Sequence, residues 1–398
     1  MALKKAVFIV GARRTPFGTY GGKLKDYSAT KLQELANKAV LQQAKLSPEH
    51  VDSVFVGNVM QSSSDAAYLA RHAALGAGVP IHVPALTVNR LCGSGFQSII
   101  SGAQEICLDD ANVVLCGGSE NMSQAPYAVR NARFGTRLGQ DLKLEDTLWQ
   151  GLTDEYAKVP MGITAENLAT KYNITREQAD KFAFDSQQRW KIANDKGYFK
   201  DEIEPIKTKN KKGVEESFDT DEHPRPQTTL EQLAKLPAVF KKEKGTVSAG
   251  NASGICDGAA AVLICDEQSL KKHNLKPLAR LIAYHVTGVE PTIMGFGPVP
   301  AIQNLLKKTK KNVDDIDLFD INEAFAPQFL SCQQVLQIPL EKANVNGGAI
   351  ALGHPLGSSG TRITGNLVYE LQRRKGKYAV GAACIGGGQG IAVLLERV

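Results

Sequence analysis

Residues 87–106 read "TVNRLCGSGFQSIISGAQEI", and residues 344–371 read "NVNGGAIALGHPLGSSGTRITGNLVYEL". Both pass from a polar segment through a glycine-rich turn into a helical pattern. In the first, Phe96, Ile99, Ile100, Ala103, Ile106 and Cys107 fall on one face of a helix. The likeness extends outward. "DSVFVGNV" (52–59) is echoed by "DIDLFDINEAF" (315–325), and "NVVLCGGSE" (112–120) by "KYAVGAACIGGGQG" (377–390). A repeat of about 260 residues is far longer than the 20–50 of a solenoid unit. It implies two similar halves packed together. Strands alternate with helices in each, which predicts an α/β fold with largely parallel sheets.

Around these stretches, "AVFIV" predicts a first strand, residues 29–44 an amphipathic helix, and "VDSVFVGNV" and "ANVVLCGG" two further strands. The longest apolar run, "GAAAVLIC" (258–265), reads as a buried strand. Between the halves, residues 121–248 differ in kind, carrying "KTKNKKG", "DEHPRPQTT" and "KKEKG" beside a helical stretch, "TREQADKFAFDSQQRWKIAND". This insertion is either a surface excursion or a segment with binding work of its own.

Composition narrows the class. The chain has 398 residues, 43% of them hydrophobic, enough for more than one core. No stretch approaches the ~18 apolar residues of a membrane span. The formal charge of +6 fits a lysine-rich surface or an anionic substrate. The basic residues are scattered without interleaved aromatics, so nucleic acid is not expected. Seven dispersed cysteines argue against a disulfide framework and for a reducing compartment. With no CxxC and no clustered His and Cys, no metal site is expected. Cys107, Cys116, Cys265 and Cys332 fall in apolar runs and read as core thiols. Lys4, Lys5, Arg13 and Arg14 precede the first acid, Asp26, as in a mitochondrial address. Because "KAVFIVGARRTPFG" also reads as a strand and loop, such a signal would stay on the chain.

Four residues carry the candidate chemistry. Cys92 precedes a helix whose first turn has no acid, a setting in which the helix terminus lowers a thiol pKa and yields a nucleophile. It also fits a small residue in a tight turn. Cys384 ends a strand beside Gly386, Gly387 and Gly388, whose N–H groups could hold an oxyanion. The competing reading is a core thiol next to a glycine hairpin. His354, alone among the histidines, lies in a glycine-flanked loop, at the place in the second half that Cys92 holds in the first. Asn322 ends the strand "DLFDIN", where an N-cap of the next helix is the ordinary use, and Glu323 would be a first-turn carboxylate. There is no GxSxG elbow and no P-loop, and "GSGFQS" only approaches GxGxxG.

Five stretches, "RLCGSG", "GNASGICDGAAA", "NEAFAPQ", "NGGAIALGHPLGSSG" and "CIGGGQG", occur in the order found in the thiolases, which the chain resembles over essentially its whole length. "ARRTPFGTYGG", "ENMSQAPY" and "VPMGITAEN" are most similar to the branch that degrades 3-ketoacyl-CoA in mitochondria. Gly93 and Pro160 stand where acetoacetyl-CoA thiolases tend to differ. The resemblance implies a five-layered α/β/α/β/α core of two duplicated halves. Residues 1–120, completed by about 249–272, would form the N-terminal half and 273–398 the C-terminal half. Residues 121–248 would be a loop domain that binds coenzyme A. It further implies Cys92 as nucleophile, Cys384 as general acid/base and His354 as activator of Cys92. Asn322 would hold a water that shares an oxyanion hole with His354, and the N–H groups of Cys92 and Gly386 would form a second. Ser253, Arg225 and Thr228 match coenzyme A contacts. Coenzyme A would be a substrate with acyl-CoA, with no metal or other cofactor, and the assembly a homodimer or homotetramer in the mitochondrial matrix. The alternatives are an acetoacetyl-CoA thiolase running condensation, a decarboxylating ketoacyl synthase, which would pair one cysteine with two histidines, and a dead acyl-CoA-binding scaffold.

Overall fold

The computed structural model describes residues 3–209 and 213–398, so the middle of "KTKNKKG" lies outside the described residues. The N-terminal half comprises β1 (Val7–Arg14), α1 (Ala29–Ala44), β2 (Ser53–Gly57), β3 (Ala85–Val88), α2 (Ser94–Leu108) and β4 (Val113–Asn121). The insertion contributes α3 (Met161–Tyr172) and α4 (Arg176–Asp195), the latter opened by a Thr175–Gln178 capping box, together with three short strand pairs. Then follow β5 (Cys256–Asp266), β6 (Ala279–Gly288), α5 (Pro298–Thr309), β7 (Leu318–Ile321), α6 (Ala326–Leu336), α7 (Ser359–Arg374), β8 (Tyr378–Ile385) and β9 (Gln389–Arg397).

The strands run in the order β7-β8-β9-β6-β1-β5-β4-β2-β3. The two halves are joined edge to edge where Val7, Phe8 and Ile9 pair with Leu281, Arg280 and Ala279. Contrary to the expected parallel sheets, the pairing is mixed. Only β2–β3, β2–β4 and β7–β8 are parallel among these strands. A parallel neighbour needs a crossover, which the helices of each half supply. β8 and β9 are instead joined by the tight turn at Gly386–Gly388, where Gly387 and Gly388 take φ of 76° and 82°, and a hairpin is antiparallel by construction.

Alternating burial builds the layers. Val262 and Ile264 of β5 face a central core with α2 and α7, while Ala261, Leu263 and Cys265 face an outer core under α1. In the other half, Ile391, Val393 and Leu395 of β9 face the same centre, while Ala392 and Leu394 face α5 and α6. The result is helix, sheet, helix pair, sheet, helix, the five layers that the resemblance implies. Each fully buried Ile or Phe in these cores contributes roughly 1.5–3 kcal/mol of transfer free energy. Cys116, Cys265 and Cys332 are core thiols as expected, whereas Cys107, near the end of α2, is only half-buried.

The two central helices meet at their N-termini, and glycine makes that possible. A Cβ on Gly360 would lie 2.3 Å from the Phe96 nitrogen, and one on Gly95 2.6 Å from the Thr361 nitrogen. This brings the turn before α2, with Cys92, and the loop before α7, with His354, to one place. The insertion is fastened to the core by Arg14 of β1. Its guanidinium grips Asp221 through Nη1 (2.6 Å) and Nη2 (3.0 Å) and Glu202 through Nε (2.9 Å), all three residues buried.

Candidate active site

Cys92 is presented by a strained turn. Leu91 takes φ of 47°, an uncommon state for a bulky residue, held by Leu91 N–H to Asn89 Oδ1 (2.9 Å) and Ser94 N–H to Leu91 O (2.9 Å). Arg90 reaches from this turn to Gln389 Oε1 (3.0 Å), coupling it to the hairpin at Gly386–Gly388. The backbone N–H groups of Gly386 and of Cys92 itself both favour negative charge on the Cys92 sulfur. Met60, Met122, Leu148 and Leu356 pack around the thiol. Cys384 is fully buried beside Met294, Ala324, Met161 and Phe325, near enough to Cys92 to feel its charge.

His354 is held at both ring nitrogens. Asn322 Nδ2 lies 3.2 Å from Nε2, and Ser359 Oγ lies 2.6 Å from Nδ1. Its backbone N–H donates to Gly254 O (3.0 Å), and the preceding Gly353 is required by φ of 93° and by the Cys256 sulfur, 2.6 Å from any added Cβ. Asn322 is wholly buried, and its Oδ1 has no partner among the described residues. Neither it nor Glu323 serves the next helix as expected. α6 starts only at Ala326 with Phe325 as its cap, and the Glu323 carboxylate instead accepts from Ser186 Oγ, Asn344 Nδ2 and the Ile350 N–H, bracing the His354 loop.

Electrostatics corrects one expectation. The helix terminus does not leave Cys92 ionised at rest. Burial pushes the thiol up to about 11; the two N–H groups pull against it, and the charge of Glu120 adds to it. Burial likewise pulls His354 down to about 3, helped by the nearby Arg362 cation. The resting pair is therefore a neutral thiol and a neutral imidazole. Burial pushes Cys384 well above the ordinary thiol value too, with Cys92 next in effect.

Beside these groups opens a cavity of about 400 Å³, walled by apolar side chains such as Leu148, Trp149, Met161, Phe240 and Phe325, with Ser253 and His354 in its lining. Arg225 and Thr228 are not in that lining. Arg225 is exposed and spends its Nη1 on the carbonyls of Glu222, His223 and Pro224. Thr228 closes the same turn, donating its N–H to Arg225 O. Sequence reading missed Ser359, Arg362 and Glu120. Glu120 is buried and accepts from the N–H groups of Met60 (2.9 Å), Val59 (3.2 Å) and Gly357 (2.9 Å). A carboxylate ending an otherwise uncharged strand, "NVVLCGGSE", was its available signal.

Two thiols and a neutral imidazole beside an apolar cavity, on a duplicated five-layered fold, define a class. The chain belongs to the thiolase family: residues 7–268 match the thiolase N-terminal domain and residues 275–397 the thiolase C-terminal domain. It is 66% identical over 397 residues to the mitochondrial 3-ketoacyl-CoA thiolase of Mus musculus, covering 100% of both chains. The crystal structure of human mitochondrial 3-ketoacyl-CoA thiolase superposes with a TM-score of 0.98 at 63% identity, covering 100% of each chain. The same human protein in complex with CoA gives 0.97, covering 100% of this chain and 99% of that one.

Proposed function

We propose that this chain is a 3-ketoacyl-CoA thiolase of fatty-acid β-oxidation, cleaving its substrate with coenzyme A to acetyl-CoA and an acyl-CoA two carbons shorter. The observation that carries this reading is the gathering of three groups at one cavity: the neutral His354 lines it, Cys92 packs behind its Met122, Leu148 and Leu356 wall, and Cys384 behind Met161 and Phe325. Cys92 attacks the C3 carbonyl and its proton passes to His354 Nε2. The C2–C3 bond breaks, Cys384 protonates the departing carbanion, and acetyl-CoA leaves an acyl–Cys92 thioester. Coenzyme A then gives its thiol proton to Cys384 and attacks the thioester, and Cys92 recovers its proton from His354. The negative oxygen of each step is held by the N–H groups of Cys92 and Gly386, or by protonated His354 with a water on Asn322. One such donor is commonly worth about 3 kcal/mol.

Residues 121–248 are the loop domain that receives coenzyme A, with Ser253 on the pantetheine arm and Arg225 and Thr228 further out. The place of work is the mitochondrion. Arg13 and Arg14 are bonded into the fold through Glu204, Glu202 and Asp221, so an address in this segment is retained. The edge strand β3 leaves Leu86 exposed, a surface for a second copy of the chain in a homodimer or homotetramer.

Thiolysis of 3-ketoacyl-CoA substrates of four, eight and sixteen carbons tests the reading. Rates that rise beyond four carbons support it. Activity confined to four carbons would make the chain an acetoacetyl-CoA thiolase. Cys92→Ala should abolish turnover in a folded protein, and residual activity above about one percent would remove Cys92 as nucleophile.

A further inference from the structure

Beneath His354 lies a buried ion pair that the reaction itself does not use. Arg362 Nη1 donates to Asp320 Oδ2 at 2.8 Å, and both residues are buried. Its position is particular. Asp320 lies on β7, two residues before Asn322, which meets His354 Nε2. Arg362 lies on the first turn of α7, three residues after Ser359, which meets Nδ1. The pair thus joins the two elements that grip the two sides of one imidazole ring. The guanidinium is also incompletely hydrogen-bonded. Nε and Nη2 of Arg362, and Oδ1 of Asp320, have no hydrogen-bond partner among the described residues. A pair kept only for stability would gain from satisfying those atoms.

We propose that Arg362 and Asp320 are positioning residues for His354: their bond locks β7 to α7 so that Asn322 and Ser359 hold the ring, and the Arg362 cation opposes a positive charge on it. The inference rests on the thiolase reading, in which His354 must be neutral to accept the Cys92 proton. The Arg362 cation acts on the ring from α7, while the Cys256 thiol of β5 meets the His354 backbone and the Glu120 carboxylate of β4 meets the Gly357 N–H of the same loop. Asp320 in turn feels Glu323 and Glu202 besides Arg362. Burial and the Arg362 cation both depress His354, so removing the cation should raise it; Asp320, which burial pushes up to about 6 against the pull of Arg362, turns neutral along with it.

The test is a titration of the His354 ring by NMR of histidine-labelled protein between pH 2.5 and 7, the signal assigned with His354→Asn. Arg362→Gln keeps a donor for Asp320 but removes the charge, and should move the His354 midpoint up by about one unit or more. Arg362→Lys keeps the charge and should leave the ring as in the parent. A ring that stays as neutral in the Gln variant as in the parent overturns the electrostatic role. Kinetics carry the positioning role, and decide the proposal if the Gln variant does not fold. Asp320→Asn should lower kcat about tenfold or more at nearly constant KM, with Asp320→Glu recovering most of it. Parent turnover in the Asn variant overturns it. Since the titration needs no substrate, absence of thiolysis in the parent would count against the thiolase reading and leave this result separate.

Discussion

His354 Nδ1 lies 2.6 Å from Ser359 Oγ, and Ser359 Oγ lies 3.1 Å from the carbonyl oxygen of Pro355. With Asn322 Nδ2, an amide donor 3.2 Å from Nε2, they select the tautomer. A serine hydroxyl has one hydrogen, which it gives to the carbonyl, so Nδ1 must be the donor and Nε2 keeps the lone pair. That nitrogen, beside Asn322, is the one able to take a proton from Cys92. Ser359→Ala removes the acceptor and frees the ring to turn. A loss of about tenfold to a hundredfold in kcat with little change in KM is expected from steady-state thiolysis. An unchanged kcat would mean that Asn322 orients the ring unaided.

Burial holds the free Cys92 thiol at about 11, so the thiolate fraction is small at neutral pH and grows about tenfold per pH unit below that value. Inactivation of the free enzyme by iodoacetamide should therefore accelerate continuously from pH 7 to 9, with acyl-CoA protecting Cys92. A plateau with a midpoint near 7 would show instead a preformed thiolate–imidazolium pair.

Cys384 is fully buried among Met294, Ala324, Met161 and Phe325 and feels the charge of Cys92. Cys384→Ser keeps the shape but raises the pKa of the proton donor. The variant should still form the acyl–Cys92 thioester, detectable by mass spectrometry, while steady-state turnover falls about a hundredfold or more. Turnover at the parent rate would end the acid/base role of Cys384.

Asp221 receives both ends of the Arg14 guanidinium and an N–H from Phe17 (2.9 Å), all in the interior. Asp221→Ala leaves a buried cation with Glu202 as its remaining carboxylate among the described residues. Removing one member of such a pair costs about 3–5 kcal/mol, to be read from denaturant unfolding. Asp221 belongs to the same loop as Arg225, so KM for coenzyme A should rise as well. A loss below 1 kcal/mol would show that Glu202 alone satisfies Arg14.

Much of this molecule is written locally. The apolar spacing of residues 29–44 and 96–107, the alternation of "GAAAVLIC" and the glycine turns before Cys92 and His354 are decided by side-chain pattern and backbone freedom. Cys92, Cys384, His354 and Asn322 could be picked out because each stands beside such a turn or strand end. What the sequence could not decide is everything set by encounters across hundreds of residues. The mixed strand directions follow from which edges meet, the β1–β6 junction among them. Asn322 is no helix cap because α6 begins four residues later, and its amide turns to a ring 32 positions away. Ser359, Arg362 and Glu120 carry no local signature as strong as a glycine turn, and act through the partners that folding gives them. The charge state of Cys92 reverses the local expectation for the same reason. A helix terminus favours a thiolate, but burial among Met60, Met122, Leu148 and Leu356 is a property of the packed site, and in a low dielectric desolvation outweighs a pair of backbone dipoles.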